Sequence, residues 1–253
     1  MNDAMSQAAS EQSRRWAVIY NPTKVSDQFR QLVTNRLERD GWADTLWLET
    51  SADDPGRGMT KEAVAAQVDL VIGAGCDGTV RVVADGLAGS GIPMGLVPAG
   101  TANLLARNLD LPLEQDAAVE IAFAGHTRTI DLIKLTVDDH PPELFAVIAG
   151  IGVDAMIMDE TDSGLKDEIG SAAYFLAAAN ALGRTPIRLT VQLDHHRPVK
   201  RRAMICAIAN VGKLAGNVTL IPQAAVPDDG LLNLYVASPH RLRDAYVKPD
   251  GCA

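Results

Sequence analysis

The chain is short of cysteine and of positive charge, and each shortage excludes a class of protein. Its 253 residues include only Cys76, Cys206 and Cys252, with no C-x-x-C pair. That pattern argues against a disulfide framework and favours a reducing compartment. The formal net charge is −9, which disfavours nucleic acid as a partner because such binding depends on Lys and Arg meeting phosphates.

Long hydrophobic runs are also missing. Residues 1–15 are polar and lack the apolar core of a signal peptide. The longest apolar helical stretch, at about residues 171–182, is too short to span a bilayer. We therefore expect a cytoplasmic protein, which would meet any lipid substrate from the surface of the membrane.

Two familiar nucleotide-binding motifs do not fit. The phosphate loop G-x-x-x-x-G-K-[ST] occurs nowhere in the chain. Gly73, Gly75 and Gly78 have the spacing of the dinucleotide fingerprint, but the acidic residue expected about 20 positions later is absent from residues 98–101.

The order of hydrophobic patterns indicates two domains. Up to residue 125, short apolar runs alternate with helical patterns, which predicts a doubly wound, mainly parallel α/β sheet. Beyond it the runs are β-type, which predicts a mainly antiparallel β domain. We expect a disordered segment at 1–15, a nucleotide-binding domain at 16–125 and a β-rich domain at 126–253. The predicted strands are 17–20, 45–48, 69–72, 94–97, 127–137, 143–148, 187–193, 203–209 and 231–236, and the predicted helices are 26–39, 60–67, 80–87, 102–108, 114–124 and 165–182.

Two glycine-rich turns follow strands of the first domain. Residues 73–79 read Gly-Ala-Gly-Cys-Asp-Gly-Thr, and residues 97–103 read Val-Pro-Ala-Gly-Thr-Ala-Asn. The carboxyl ends of parallel strands share one crevice, and helix starts attract phosphate. With Asp77 as the only carboxylate, the pair indicates a metal-bound nucleotide. The plain alternative is that Thr79, Thr101 and Asn103 serve only as helix caps.

These turns belong to an ordered series of motifs. Residues 75–79 resemble the Gly-Gly-Asp-Gly-Thr signature of the diacylglycerol-kinase catalytic domain and its sphingosine-kinase and NAD-kinase relatives. Asn21-Pro22, residues 100–109, residues 150–155 and residues 227–232 are similar to further motifs of that family and occur in its order. The resemblance covers about residues 16–237.

The resemblance implies an ATP- and Mg²⁺-dependent kinase that transfers the γ-phosphoryl group to a lipid hydroxyl, such as that of diacylglycerol. Asp77 and Asp131 would be the catalytic pair and would hold Mg²⁺ through its water shell. Asp229, with main-chain oxygens near Val226 and Leu231, would hold a second, structural Mg²⁺. Without the resemblance, Asp131 reads as a surface acid at a strand edge and residues 228–230 as a plain turn. The residues implied at the ATP site are Asn21, Thr50, Gly75, Cys76, Asp77, Gly78, Thr79, Gly100, Thr101 and Asn103.

The chain departs from the family pattern at two places. Cys76 replaces a glycine, and its loop would be strained if that position required a positive φ. Cys252 stands where the family has the glutamate proposed as general base, and no glutamate follows Glu168. The second domain is expected to be shorter than in the family, with open strand edges that favour a homodimer. We therefore expect a kinase architecture with low turnover.

Two other functions stay open. One is a non-catalytic protein of this fold that binds nucleotide or lipid, and the other is an NAD kinase, although the Asn-Glu pair typical of that branch is absent. The basic run at residues 195–202 is either a contact for anionic lipid or a solvated hairpin.

Overall fold

A computed structural model of the chain describes residues 15–40, 44–152, 186–213 and 226–237. It contains two compact units. The first comprises Met1–Thr129 and Lys134–Leu144, and the second comprises Ile130–Ile133 and Phe145–Ala253. The predicted domain limit at residue 125 stays a prediction.

A four-stranded parallel sheet with the order β2-β1-β3-β4 forms the centre of the first unit. Its alternation of strand and helix confirms the predicted α/β fold. The strands are β1 (Arg15–Tyr20), β2 (Asp44–Glu49), β3 (Leu70–Gly75) and β4 (Met94–Pro98), and the helices are α1 (Asp27–Arg39), α2 (Arg57–Ala65), α3 (Asp77–Leu87), α4 (Leu104–Asn108) and α5 (Gln115–Ala122).

Helices cover both faces of this sheet because successive strand residues point to opposite sides. On one face, Val18 of β1 packs with Phe29 of α1 and Val119 of α5. On the other face, Ile19 packs with Ala63 of α2 and Val83 of α3. The sheet is therefore buried between two helical layers, and its carboxyl edge is left for the turns that follow the strands.

Antiparallel pairing dominates the second unit, as predicted. A three-stranded sheet has the order β11-β10-β7, and β8 pairs with β9. A further two-stranded sheet joins β5 to β6, and most of its residues belong to the first unit. The strands are β5 (Ile133–Leu135), β6 (Glu143–Phe145), β7 (Ile148–Ile151), β8 (Ile187–Val191), β9 (Val199–Ala203), β10 (Ile205–Ala209) and β11 (Asn233–Ala237).

Several predicted β boundaries were wrong. The run 127–137 forms a strand only at Ile133–Leu135, because the Asp131 N–H donates to the carbonyl of Pro227 and not to a strand ladder. The runs 143–148 and 203–209 each contribute to two strands. The predicted helix at 165–182 and nearly all of the predicted disordered segment lie outside the described residues. No helix within the described part of the chain is long and apolar enough to cross a membrane.

Candidate nucleotide site

Main-chain hydrogen bonds bring the predicted nucleotide segments together at the carboxyl edge of the parallel sheet. The N–H of Asn21 donates to the carbonyl of Ala74 at 3.0 Å, and that of Thr50 donates to Tyr20 at 2.9 Å. The N–H of Ala99 donates to Gly75 at 3.0 Å. The ends of all four strands therefore lie side by side, as the sequence predicted for the two glycine turns.

Asp77 links the two glycine turns directly. It is the first residue of α3 and is half-buried. Its Oδ1 accepts a 2.6 Å hydrogen bond from the N–H of Leu104, the first residue of α4. A carboxylate that accepts from a main-chain N–H forms a charge-assisted bond, about twice as strong as a neutral one. The carboxylate therefore sets the position of the second turn relative to the first.

The second turn approaches the first so closely that only glycine fits at position 100. A Cβ on Gly100 would lie 2.8 Å from the Cα of Cys76 and 3.0 Å from the Oδ1 of Asn103. The Asn103 side chain forms two hydrogen bonds with the main chain of Gly100. Its Oδ1 accepts from the Gly100 N–H at 2.9 Å, and its Nδ2 donates to the Gly100 carbonyl at 2.8 Å. Asn103 itself has φ 47°, a left-handed conformation in which asparagine is enriched.

Cys76 occupies an ordinary conformation at the start of α3. Its φ of −78° and ψ of 175° are extended values that any residue adopts. The strain that a positive φ would have caused does not arise, so the departure from the glycine signature is tolerated by the backbone.

The threonines of the site divide into buried and exposed ones. Thr79 is 2% exposed and packs on Gly75, where a Cβ would lie 2.7 Å from the Thr79 Cβ. Thr50 is also buried, at 5% exposed. Thr101 and Gly78 are exposed. The buried side chains hold the turns in shape, while the exposed positions are accessible to a ligand. The ATP-site roles predicted for these three threonines and for Gly78 stay predictions.

Two residues near the carboxyl edge of the parallel sheet were not identified in the sequence analysis. Arg107 donates from its Nε to the carbonyl of Ala102 at 2.9 Å, which places a guanidinium beside the second turn. Asp54 accepts from the N–H groups of Gly56 and Gly58 at the start of α2. These donors lower the pKa of Asp54 below its ordinary value. An acid followed by Pro-Gly just before a helix was the available signal for Asp54.

Asp131, in the second unit, is held by its main chain and its carboxylate. Its N–H donates to the carbonyl of Pro227 at 2.6 Å. Its Oδ2 accepts from the N–H of Gly230 at 2.7 Å. The carboxylate is thus fixed to the turn that contains Asp229. Asp229 Oδ1 accepts from Leu231 N–H at 2.9 Å within that turn.

Asn210 is a further residue that the sequence analysis missed. It is 1% exposed, and its Nδ2 donates to the carbonyls of Asp131 at 2.9 Å and Ala146 at 3.2 Å. Because two acceptors fix the amide, its buried Oδ1 faces away from them and has no hydrogen-bond partner among the described residues. An asparagine at the end of an apolar strand was the only signal available. Asn210 ties the main chain of Asp131 to that of Ala146.

The predicted metal residues fit an oxygen-preferring cation. Asp77, Asp131 and Asp229 each use one carboxylate oxygen to accept from a main-chain N–H, and each retains a second oxygen. Mg²⁺ prefers oxygen ligands and binds through one or two carboxylates while keeping several waters. Within the described ranges, no three acidic, histidine or cysteine side chains converge on one point. Val226 and Leu231, whose main-chain oxygens were predicted ligands, are exposed. Cys252 lies outside the described residues, so the expectation of low turnover stays a prediction.

Comparison with known proteins agrees with these features. Residues 15–135 match the diacylglycerol kinase catalytic domain, and residues 147–247 match the YegS C-terminal NAD kinase beta sandwich-like domain. A probable lipid kinase YegS-like of Pectobacterium atrosepticum is 32% identical over 84% of this chain and 70% of its own length. A diacylglycerol kinase of Staphylococcus epidermidis is 26% identical over 91% of this chain and 72% of its own length.

A solved structure supports the same fold. The crystal structure of a diacylglycerol kinase from Bacillus anthracis superimposes with a TM-score of 0.65 and 24% identity, covering 89% of this chain and 75% of that one. Both domain matches, the order of the motifs and the identity to the YegS-like kinase agree. The chain therefore belongs to the diacylglycerol kinase family and has the fold of a kinase-type phosphotransferase.

Proposed function

We propose that the chain binds ATP at the carboxyl edge of its parallel sheet and transfers the γ-phosphoryl group to a hydroxyl of a membrane lipid. The observation that carries this proposal is the hydrogen bond from Leu104 N–H to Asp77, because it joins two phosphate-type turns into one site. Diacylglycerol is the acceptor that we propose, since several relatives bear its name.

The start of α3 supplies the first contact for the phosphates. The leading N–H groups of a helix lack partners within the helix and point towards an anion. Gly78 is exposed, and a Cβ there would meet only the Sγ of Cys76, at 3.8 Å. A phosphate can therefore approach the main chain closely at this point.

Charge neutralisation accounts for most of the catalysis in phosphoryl transfer, together with positioning. We assign the catalytic metal to Asp77 and Asp131, and the structural metal to Asp229 with the main-chain oxygens of Val226 and Leu231. Mg²⁺ bound there would neutralise the charge of the phosphates and orient them. The part played by the chain is to hold each carboxylate in place, as the main-chain donors to Asp77, Asp131 and Asp229 do.

The test separates nucleotide binding from turnover. ATP binding is measured by calorimetry with and without Mg²⁺, and transfer of γ-³²P is measured into a lipid extract and into NAD. Asp77→Asn keeps an oxygen that accepts from Leu104 but removes the charge, so we expect the fold to persist and Mg²⁺-dependent transfer to fall by more than about 100-fold. Asp116→Asn is the matched control, since Asp116 is likewise an acid in the first turn of a helix, α5.

Each outcome has one meaning. Labelled lipid from the parent chain, lost in Asp77→Asn and retained in Asp116→Asn, supports the lipid kinase. Labelled NAD identifies an NAD kinase. ATP binding with no labelled product identifies a protein that binds nucleotide without turnover, and contradicts the proposed function. A slow but measurable rate agrees with the expectation drawn from Cys252.

A further inference from the structure

Asn210 joins three segments of the second unit. It follows β10 directly, and its own N–H donates to the carbonyl of Val147 at 2.9 Å. Its Nδ2 donates to the carbonyls of Asp131 at 2.9 Å and Ala146 at 3.2 Å. The residue is 1% exposed, and a buried amide cannot replace these acceptors with bulk water. Asn210 therefore holds the segment before β7 and the segment of Asp131 against the end of β10.

Asp131 is held from two directions. Its N–H donates to the carbonyl of Pro227, and its Oδ2 accepts from the N–H of Gly230, so both of these bonds lead to the turn at residues 227–230. Among the hydrogen bonds of the described residues, only the bond from Asn210 connects Asp131 to the end of β10. Without that bond, Asp131 would be attached to the turn alone.

The turn is itself tied back to the same sheet. It runs into β11, whose first residue, Asn233, lies opposite Ala209, the last residue of β10. Asn210 is the next residue of the chain. Asp131, the turn, β11 and β10 therefore form a closed circuit, which the Asn210 side chain completes. A closed circuit of this kind fixes the Asp131 carboxylate relative to the sheet.

An asparagine at this position has a cost that a packing residue would avoid. Its Oδ1 is buried and has no hydrogen-bond partner among the described residues, and burying a polar atom without a partner is unfavourable. An aliphatic side chain of similar size would avoid that cost, but it would leave two main-chain carbonyls without this donor. The asparagine is therefore useful for its Nδ2 group, which reaches the carbonyl of Asp131.

We propose that Asn210 is a positioning residue for the metal at Asp131. Its Nδ2 fixes the main chain of Asp131, so that the second oxygen of the carboxylate, Oδ1, stays in place for a divalent cation. The inference rests on the proposed function, which assigns the catalytic metal to Asp131. Loss of a group that hydrogen-bonds to a metal-binding residue typically weakens metal binding 10- to 100-fold. Because Asn210 reaches only the main chain of Asp131, we expect the lower end of that range, about tenfold.

The test uses Mn²⁺ alone, which takes the same oxygen ligands as Mg²⁺. Electron paramagnetic resonance measures Mn²⁺ binding to the full chain without nucleotide. We expect Asn210→Ala to weaken this binding about tenfold and Asp131→Asn to weaken it further. Adding Asn210→Ala to Asp131→Asn should cause no additional loss, because two residues that act through one ligand are not additive. Asp131→Asn keeps an oxygen that accepts from Gly230, so its fold should persist.

Ile205→Ala is the control for a general loss of stability. Ile205 lies on the same strand and is 1% exposed, so its truncation leaves a cavity beside β10 without removing the donor to Asp131. We expect its Mn²⁺ affinity to equal that of the parent chain. Urea denaturation checks that each variant is folded during the titration. If Asn210→Ala is not folded, Asn210→Ser replaces it, since its one hydroxyl donor can serve only one of the two carbonyls.

Four results would overturn the inference. The first is an unchanged Mn²⁺ affinity in the folded Asn210 variant, and the second is an equal loss in Ile205→Ala. The third is a further loss when Asn210→Ala is added to Asp131→Asn, because Asn210 would then act through another group. The fourth is a parent chain that binds no Mn²⁺, because Asp131 would then hold no metal.

A second readout keeps this inference apart from the proposed function. The Mg²⁺ concentration for half-maximal transfer of the γ-phosphoryl group should rise about tenfold in Asn210→Ala and stay unchanged in Ile205→Ala. If the parent chain and the variants all fail to transfer phosphate, the proposed function fails, while the Mn²⁺ titrations still decide the role of Asn210. A lower kcat with an unchanged Mg²⁺ requirement would refute a role in positioning the metal.

Discussion

Replacing Gly100 by alanine tests whether the close contact between the two glycine turns builds the site. The added Cβ would lie 2.8 Å from the Cα and 2.9 Å from the Cβ of Cys76. Carbon atoms in favourable contact are about 3.5–4.0 Å apart, so the turns must separate by roughly 1 Å. The obstacle includes main-chain atoms, which cannot rotate away as the end of a flexible side chain could.

The cost follows from two contributions. Overpacking of this size destabilises a protein by about 1–3 kcal/mol. Separating the turns also stretches the 2.6 Å hydrogen bond between Asp77 and Leu104, and a bond to a charged group contributes about 1.5–3 kcal/mol. The two contributions do not add in full, because a movement of the turns that relieves the overpacking also stretches the hydrogen bond. We therefore expect Gly100→Ala to lower the free energy of unfolding by about 3 kcal/mol. We expect ATP affinity to fall more than about tenfold, which corresponds to 1.4 kcal/mol of lost binding energy.

Urea denaturation followed by tryptophan fluorescence measures this change, because Trp16 and Trp47 lie in the unit that contains the site. Gly78→Ala is the matched control. It adds the same methyl group to the first turn, where the nearest atom is the Cys76 Sγ at 3.8 Å. Within a helix, alanine is favoured over glycine by about 1 kcal/mol, so this control should be more stable than the parent chain. A Gly100→Ala variant that unfolds at the same urea concentration as the parent would refute the argument.

Three further predictions concern single residues. Cys76→Gly should change ATP affinity by less than about threefold in calorimetry, since φ is already −78°; a larger gain would show that the thiol obstructs the site. Asp54→Ala should lower the free energy of unfolding by about 1 kcal/mol at neutral pH through loss of the α2 cap, with Asp53→Ala as the control. The lowered pKa of Asp54 means that this stabilisation is complete above the unfolded-state pKa and is lost as pH falls through the folded-state value. The urea titrations of the parent and the variant should therefore converge once the Asp54 carboxylate is protonated in the folded chain; an unchanged difference in strong acid contradicts the cap. Asn210→Ala should cost about 2 kcal/mol by circular dichroism in urea, because the buried carbonyl of Ala146 loses its donor, and a neutral result would contradict that role.

The first unit was predicted well because its information is local. Strand β1 reads as an uninterrupted apolar run with both faces buried, and α1 carries its buried residues Phe29, Val33 and Leu37 at helical spacing. Each element is specified by a few neighbouring residues. Alternation of such elements then leaves few arrangements other than a parallel sheet with helices on both sides.

The second unit was predicted less well because its strands are short and depend on distant partners. Strand β7 has four residues, and β9 is exposed over four of its five positions. The basic residues of β9 give no hydrophobic signal, so the prediction assigned part of this strand to the turn. The strand exists because each of its residues faces one of β8, and such pairing is a property of the fold and not of the local sequence.

The same distinction applies to the candidate site. Glycines at positions 75 and 100 were visible in the sequence, but what makes them necessary is not local. Gly75 is needed because Thr79 packs on it, and Gly100 because the main chain of Cys76, 24 positions earlier, lies against it. Whether Cys76 strains the turn could be decided only from its φ in the structure, because the sequence was compatible with a positive or a negative φ. By sequence alone, Cys76 would count as a departure that damages the signature. Its extended backbone shows that position 76 does not require glycine. The close contact with its main chain instead requires a small residue at position 100.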